Sequence, residues 1–180
     1  MATTPPSLRS YDENHLRLAI TESANAVTNG NMPFGAVIAD KNGKVILQGH
    51  NQSAAMKKRG GTGDVTRHAE MELVRMASDI DTEIRKDCTM YTSTEPCVMC
   101  AGAIYWSGVG RLVFAASSDE LTKLSGPGGF DVPVRSLYDM GRPGTRKIEI
   151  IGPLLSNEAM KVHKDSGIWK ECAAATSSST

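Results

Sequence analysis

The sequence predicts a single α/β domain, a sheet covered by helices with some strands parallel, and three observations lead there. Short β-type apolar runs alternate with helical apolar stripes in the order α-β-β-α-β-α-β-loop-β-α, an alternation that builds a sheet with helices on it. The 180 residues are enough for one domain with a sizeable core. The composition, 40% apolar and 22% charged, is that of an ordinary globular chain.

Each element has its own signal. From Asn14 to Val27, the residues Leu16, Ala19, Ile20, Ala24 and Val27 form a helical apolar stripe. Phe34 to Ala39 and Lys44 to Gln48 read as strands, joined by the turn signal Asp40-Lys41-Asn42-Gly43. Gly49 to Gly63 is a polar, glycine-containing loop. Ala69 to Ala77 reads as a helix with Met71, Leu73, Val74 and Met76 apolar, and Thr89 to Thr92 as a β-type stretch. Cys97 to Trp106 reads as a helix opened by Pro96, a residue favoured in first turns. Arg111 to Ala116 and Lys147 to Ile151 complete five strands, and Asn157 to Glu171 is a terminal helix. Between them, Ser117 to Gly144 reads as a long loop, and Ser125-Gly126-Pro127-Gly128-Gly129 gives it a flexible, lid-like character. Residues 1–10 and 173–180 are rich in Thr, Ser, Ala and Pro and read as disordered tails around a domain of residues 11–172. There is no internal repeat.

Composition excludes several classes of function. Lys plus Arg equals Asp plus Glu, at 20 each, so the broad positive face of a nucleic-acid binder is not expected. No apolar run approaches the roughly 18 residues of a membrane helix. Met1 to Ser10 lacks the apolar core of a secretory signal, so a cytoplasmic protein is expected. Without export, the four cysteines, Cys88, Cys97, Cys100 and Cys172, are not expected to pair as disulfides. In a reducing compartment, the pair Cys97-x-x-Cys100 suggests metal or redox chemistry.

Three residues apart on a helix, Cys97 and Cys100 share a face and can grip one ion. In a first turn the helix dipole favours the thiolates that ligate metals. His68 is the natural third ligand. Two thiolates and an imidazole leave the fourth zinc position for water, as in a catalytic site, and zinc lowers that water's pKa to roughly 7. Residues two apart on a regular helix point away from each other, so His68 and Glu70 can face one ion only if His68 sits at or before the helix start. Thr66 or Asp64 could then cap that helix. Glu70 would lie close to the metal without ligating it, in the place of a proton shuttle. The competing readings are a thioredoxin-like redox pair for the cysteines and a favourably placed first-turn acid for Glu70. The redox pair leaves His68-Ala69-Glu70 unexplained.

His-x-Glu followed by Pro-Cys-x-x-Cys resembles the signature of the zinc nucleobase deaminases. The resemblance runs from about Asp12 to Gly152. It includes Met32 to Ile38, Gly49-His50-Asn51, His68-Ala69-Glu70 and Thr94 to Ile104. The chain is similar to the cytidine deaminase superfamily, in its guanine deaminase and tRNA adenosine deaminase branch. That resemblance implies a three-layer α-β-α sandwich with a five-stranded mixed sheet, a homodimer, and Zn2+ held by His68, Cys97 and Cys100 with Glu70 catalytic. It implies that Asn51 hydrogen-bonds the base from the end of the second strand; by residue preference alone Asn51 is a turn residue. Phe34 would offer a stacking face, or else belong to the core. The Ala69 amide and the backbone of Thr92, Ser93 and Thr94 would line the pocket. Trp106 matches a tryptophan of guanine deaminase-like members and would stack on the base or sit in an interface. Gly129-Phe130-Asp131 resembles a guanine deaminase segment and makes Asp131 a contact to the amine or ring. Val132 stands where those enzymes often carry a further acid.

The expected activity is zinc-dependent hydrolytic deamination of a purine base or nucleoside, guanine- or guanosine-like, or of a related aminated heterocycle, with release of ammonia. A tRNA adenosine deaminase is the second reading, with Met56-Lys57-Lys58-Arg59 meeting phosphates, although the mixed charge of residues 157–171 speaks against an RNA-binding face. A non-catalytic zinc module is the third; it requires a fourth protein ligand such as His50. His163 and Trp169 are expected to fold over an active site, the chain's own or a partner's, or else to belong to a packing helix.

Overall fold

The computed structural model describes residues 7–54, 63–126 and 129–169. Five strands form one sheet: β1 (Gly35–Ala39), β2 (Val45–His50), β3 (Thr89–Thr94), β4 (Arg111–Ala116) and β5 (Glu149–Ile151), in the order β2-β1-β3-β4-β5. β1 pairs antiparallel with both β2 and β3, while β3–β4 and β4–β5 are parallel. The helices are α1 (Asp12–Thr28), α2 (Ala69–Met76), α3 (Thr82–Arg85), α4 (Val98–Ser107), α5 (Ser118–Ser125), α6 (Val134–Asp139) and α7 (Ser156–Asp165).

Side chains alternate across a strand with a period of two, and here both faces are apolar. Ala36, Ile38, Met90, Leu112 and Phe114 pack with Leu73 of α2 and with Ala101 and Ile104 of α4. Val37, Ala39, Tyr91, Val113 and Ala115 pack with Leu16 and Ala19 of α1 and with Ala159 and Met160 of α7. The result is the three-layer sandwich on a mixed sheet that the resemblance implied.

The expected Ser117–Gly144 loop is corrected by α5 and α6. α5 starts with a capping box, in which Ser117 Oγ accepts the Glu120 amide while Glu120 reaches back to the Ser117 amide. That Ser-x-x-Glu signal was present in the sequence. The terminal helix runs Ser156–Asp165, short of the expected residue 171. The central helix α4 begins at Val98 with Cys97 as its N-cap, so Pro96 precedes the helix rather than opening it. The expected N-terminal tail ends sooner than residue 10: the Ser7 carbonyl accepts from Arg111, and the Arg9 amide donates to Asp12. Residues 1–6, the basic cluster 56–59, Cys172 and the tail 173–180 lie outside the described residues.

At the amino ends of β3 and β4, α1 is fastened by a buried charge network. Asp12 Oδ1 accepts from the Tyr91 hydroxyl and Arg111 Nη1, each at 2.8 Å; Oδ2 accepts from Arg111 Nη2 and the Arg9 amide, each at 2.7 Å. At the opposite end, antiparallel pairing of Gly35 with His50 and of Ala36 with Thr92 brings the start of β1 and the ends of β2 and β3 to one edge. α1 lies so close to this edge that a Cβ on Gly35 would stand 2.2 Å from the Ala19 carbonyl oxygen.

Candidate active site

The carboxyl edge of β3 gathers the chemistry. His68 is the N-cap of α2, extended at φ −71° and ψ 157°, and Cys97 is the N-cap of α4 at φ −66° and ψ 168°. Cys100 follows in the first turn of α4. His68 at a helix cap rather than inside the helix is the condition under which His68 and Glu70 turn to the same place. Neither Thr66 nor Asp64 caps α2: Asp64 Oδ1 accepts instead from the Thr66 amide and hydroxyl, closing a turn ahead of it.

His68 Nδ1 lies 3.7 Å from Cys97 Sγ and 3.5 Å from Cys100 Sγ, and the three donor atoms fall within 4.8 Å of one another. Zinc–nitrogen bonds near 2.0 Å and zinc–sulfur bonds near 2.3 Å at tetrahedral angles separate nitrogen from sulfur by about 3.6 Å. The donor set therefore fits zinc in type and spacing. Among the described residues the cluster has three members. His50 stands apart from it, with Nδ1 at 2.8 Å from Glu22 Oε2 and Nε2 at 3.2 Å from Asn29 Nδ2.

The electrostatics set the two thiols apart. The Cys97 thiol is lowered to about 4, first by the Cys100 thiol and then by His68, against the opposing effect of burial. Cys100 is pushed up by the same pairing and by burial, and the Cys97 contact raises His68. Glu70 is 6% exposed, with Oε2 lacking a partner among the described residues, and burial raises its carboxyl. An unfilled carboxyl oxygen beside a metal-donor cluster is available to a ligand.

Comparison with known proteins agrees. Residues 9–116 match the family model of the cytidine and deoxycytidylate deaminase zinc-binding region. The chain belongs to this deaminase family. It is 39% identical over 163 residues to a probable cytosine deaminase of Schizosaccharomyces pombe, covering 90% of this chain and 94% of that protein. It is 37% identical over 123 residues to the guanine deaminase of Bacillus subtilis, covering 66% of this chain and 70% of that one. A structure solved in a study of A-to-I editing by tRNA:A34 deaminases superposes with a TM-score of 0.65 at 26% identity, covering 83% of this chain and 99% of that chain. The deaminase is thus a zinc enzyme of cytidine deaminase fold.

Around the deaminase's zinc donors the other expected residues divide. The Phe34 ring stacks nearly parallel to His68 at 6.4 Å between centroids. Asn51 is buried, and its Oδ1 accepts from the Ser53 amide and hydroxyl at 3.0 and 2.8 Å, closing a turn. Ala69 is the first residue of α2, where a helix leaves its amide without an intrahelical acceptor. α7 brings His163 to 5.2 Å from Phe34, and Trp169 lies 6.3 Å from Phe34 and 5.8 Å from His163. His163 is 1% exposed, accepts from or donates to Thr94 Oγ1 at 2.9 Å, and is lowered to about 4 by burial. This Thr94–His163 pairing has no local sequence signal. Trp106 is 83% exposed and lines an outer groove of about 560 Å³ with Tyr105, Tyr138 and Met140, which contains none of the zinc donors. Asp131 is exposed beside Phe130, and no contact joins it to the donor cluster among the described residues.

Proposed function

We propose that this deaminase hydrolyses the exocyclic amine of a small purine-type substrate, guanine or its nucleoside, to a carbonyl with release of ammonia. The observation that carries this reading is the buried Glu70 carboxyl beside His68, Cys97 and Cys100, whose Oε2 has no partner among the described residues. Zinc held by His68, Cys97 and Cys100 would lower the pKa of a bound water to roughly 7. Glu70 would take a proton from the attacking water, pass it to the ring nitrogen next to the amine, and assist departure of that amine as ammonia. The raised carboxyl of Glu70 suits a group that must hold a proton between two transfers. Phe34, His163 and Trp169 form an aromatic cluster beside His68, a surface suited to the face of a small ring. Asn51 can offer only its donor end, which suits a ring carbonyl. Guanine carries a carbonyl one ring atom beyond the amine-bearing carbon's nitrogen neighbour; adenine has none. The Bacillus subtilis relative supports the purine assignment.

Cytosine is the second reading. It shares the amine–carbon–nitrogen–carbonyl order, and the Schizosaccharomyces pombe relative matches over most of both chains. Ammonia release from guanine, guanosine, cytosine, cytidine, adenine, adenosine and a tRNA anticodon stem-loop decides among them. We expect turnover of guanine or guanosine, with adenine slower by roughly 100-fold or more because it leaves the Asn51 donor unmatched. Turnover of cytosine alone overturns the purine assignment, and turnover of the stem-loop alone overturns the small-molecule reading.

A homodimer accompanies the proposal. Trp106 and Met140 expose apolar area on the outer groove of α4 and α6, an arrangement that marks an interaction face. Sedimentation that gives a monomer at micromolar concentration removes it. No helix among the described residues is long and apolar enough to cross a membrane, and the enzyme is proposed to work in the cytoplasm.

A further inference from the structure

Two residues ahead of Cys97, the Glu95 carboxylate binds the beginnings of two helices at once. Oε2 accepts from the Ser118 amide at 3.0 Å and from the Ser118 hydroxyl at 3.1 Å; Oε1 accepts from the Val134 amide at 2.8 Å. Ser118 is the first residue of α5 and Val134 the first of α6, so both amides are among those a helix cannot satisfy itself. The N-cap of α6 is Pro133, whose side chain makes no cap bond, and Glu95 supplies the missing acceptor from a distant part of the chain. The positive ends of both helix dipoles point at this carboxylate. Its own amide donates to the Ala116 carbonyl at 2.7 Å, which extends the β3–β4 pairing one residue past the strand.

This grip falls where the metal centre needs it. β3 ends at Thr94 and α4 begins at Val98, leaving a turn of Glu95, Pro96 and Cys97. Cys97 is exposed whereas Cys100 is buried in α4, so the turn alone decides where the Cys97 sulfur stands. We propose that Glu95 is a positioning residue for the zinc site: by tying α5 and α6 to the β3–α4 turn it fixes Cys97 Sγ opposite His68 Nδ1. The inference rests on the zinc reading of His68, Cys97 and Cys100.

The test is zinc release from the loaded, full-length protein to a chromophoric chelator, read alongside thermal unfolding. Glu95→Gln keeps the shape, but whichever way the amide turns, an NH2 group faces one of the helix amides. Ser118→Pro removes both Ser118 donors at a first-turn position where proline is accepted, and keeps the proposal testable if Glu95→Gln does not fold. Tyr91→Phe, which loosens the Asp12 network at the other end of the sheet, is the stability-matched control. We expect zinc release ~10-fold faster in Glu95→Gln and faster in Ser118→Pro, the scale on which supporting residues tune metal affinity, with Tyr91→Phe at the wild-type rate. Unchanged release in Glu95→Gln overturns the proposal, as does equal acceleration in Tyr91→Phe. A wild-type protein that takes up no zinc overturns the zinc reading itself, a different result from wild type and variant binding it alike.

Discussion

The two ends of the sheet are both buried and both polar, yet they are finished differently. At the amino end Asp12 has all its acceptor capacity filled by Arg111, Tyr91 and the Arg9 amide, and Arg111 also faces Glu149 Oε2 at 3.3 Å. His15 Nδ1, on a ring set edge-on to Tyr11 and tilted against Tyr91, and Arg111 Nε have no hydrogen-bond partner there among the described residues. At the carboxyl end Glu70 Oε2, Thr92 Oγ1, His163 Nδ1 and Trp169 Nε1 are all buried without a partner among the described residues. A buried polar atom without a partner costs roughly 1–3 kcal/mol. The Asp12 carboxylate has recovered that cost in holding α1 to β3 and β4. The carboxyl end carries more of it, in four atoms beside the zinc donors. On the proposed function, a ligand that supplies the missing partners recovers it on binding.

The sharpest way to break the comparison is to remove one of these groups at the carboxyl end. Glu70→Gln is expected to retain zinc, because Glu70 lies outside the donor cluster, and to lose 10³- to 10⁴-fold or thereabouts in ammonia release, about 4–5 kcal/mol of barrier. Its melting temperature should equal or exceed wild type, since a neutral amide replaces a carboxyl that burial already disfavours as an anion. Steady-state kinetics with metal content measured on the same sample checks both. Near-normal turnover, or a zinc-free variant, removes Glu70 from the role. Removing zinc with a chelator should abolish turnover in wild type and restore it on readdition.

The converse change belongs at the filled end. Asp12→Asn leaves Arg111 buried and uncompensated, which is expected to cost about 3–5 kcal/mol of stability. kcat/KM of the folded fraction should stay within a factor of about two, since the network lies at the far edge of the sheet from Glu70. Chemical denaturation and kinetics on one preparation check this. A large fall in kcat/KM at full folding would show that the two ends are coupled. Tyr91→Phe removes one hydrogen bond to the same carboxylate and should cost less, about 1.5–3 kcal/mol.

How much of this was legible in the sequence follows the same division. His68, Glu70, Cys97 and Cys100 were readable because their chemistry is fixed by short spacings at two helix starts, and the strands because they are short apolar runs bounded by turn residues. α5 and α6 were hidden because glycines and prolines between them outweighed a Ser-x-x-Glu capping box worth only a turn. The Asp12–Arg111 pair and the Thr94–His163 pair were out of reach, as the partners stand 99 and 69 residues apart and neither residue type announces the other. Asn51 was legible as a turn residue, and the structure shows it making that turn, its Oδ1 accepting from Ser53.

The smallest expected effect sharpens the comparison along the pH axis. Burial lowers His163 to about 4, below the 6.5 of an ordinary histidine. Between those values the unfolded chain takes up a proton that the folded chain refuses. Stability from this group is therefore complete above about pH 6.5 and falls as pH drops toward 4, with a slope approaching about 1.4 kcal/mol per pH unit. Burial alone would raise Asp12, but Arg111, the Arg9 amide and Tyr91 together outweigh it and bring its carboxyl below 3.8. The Asp12 contribution is full above that value and is lost only as pH falls through the lowered one. Acid thus loosens the ligand end of the sheet first and the fastened end later. His163→Gln should flatten the stability curve between pH 6.5 and 4 while leaving the acid limb below pH 4 in place, the window being that of the histidine alone. Comparing wild type with the variant cancels the titration of His68 and the cysteines, which is common to both. A curve of unchanged slope in that window would mean that α7 opens and protonates His163 before the domain unfolds, and the closed wall formed by Phe34, His163 and Trp169 would then be a state the enzyme leaves readily.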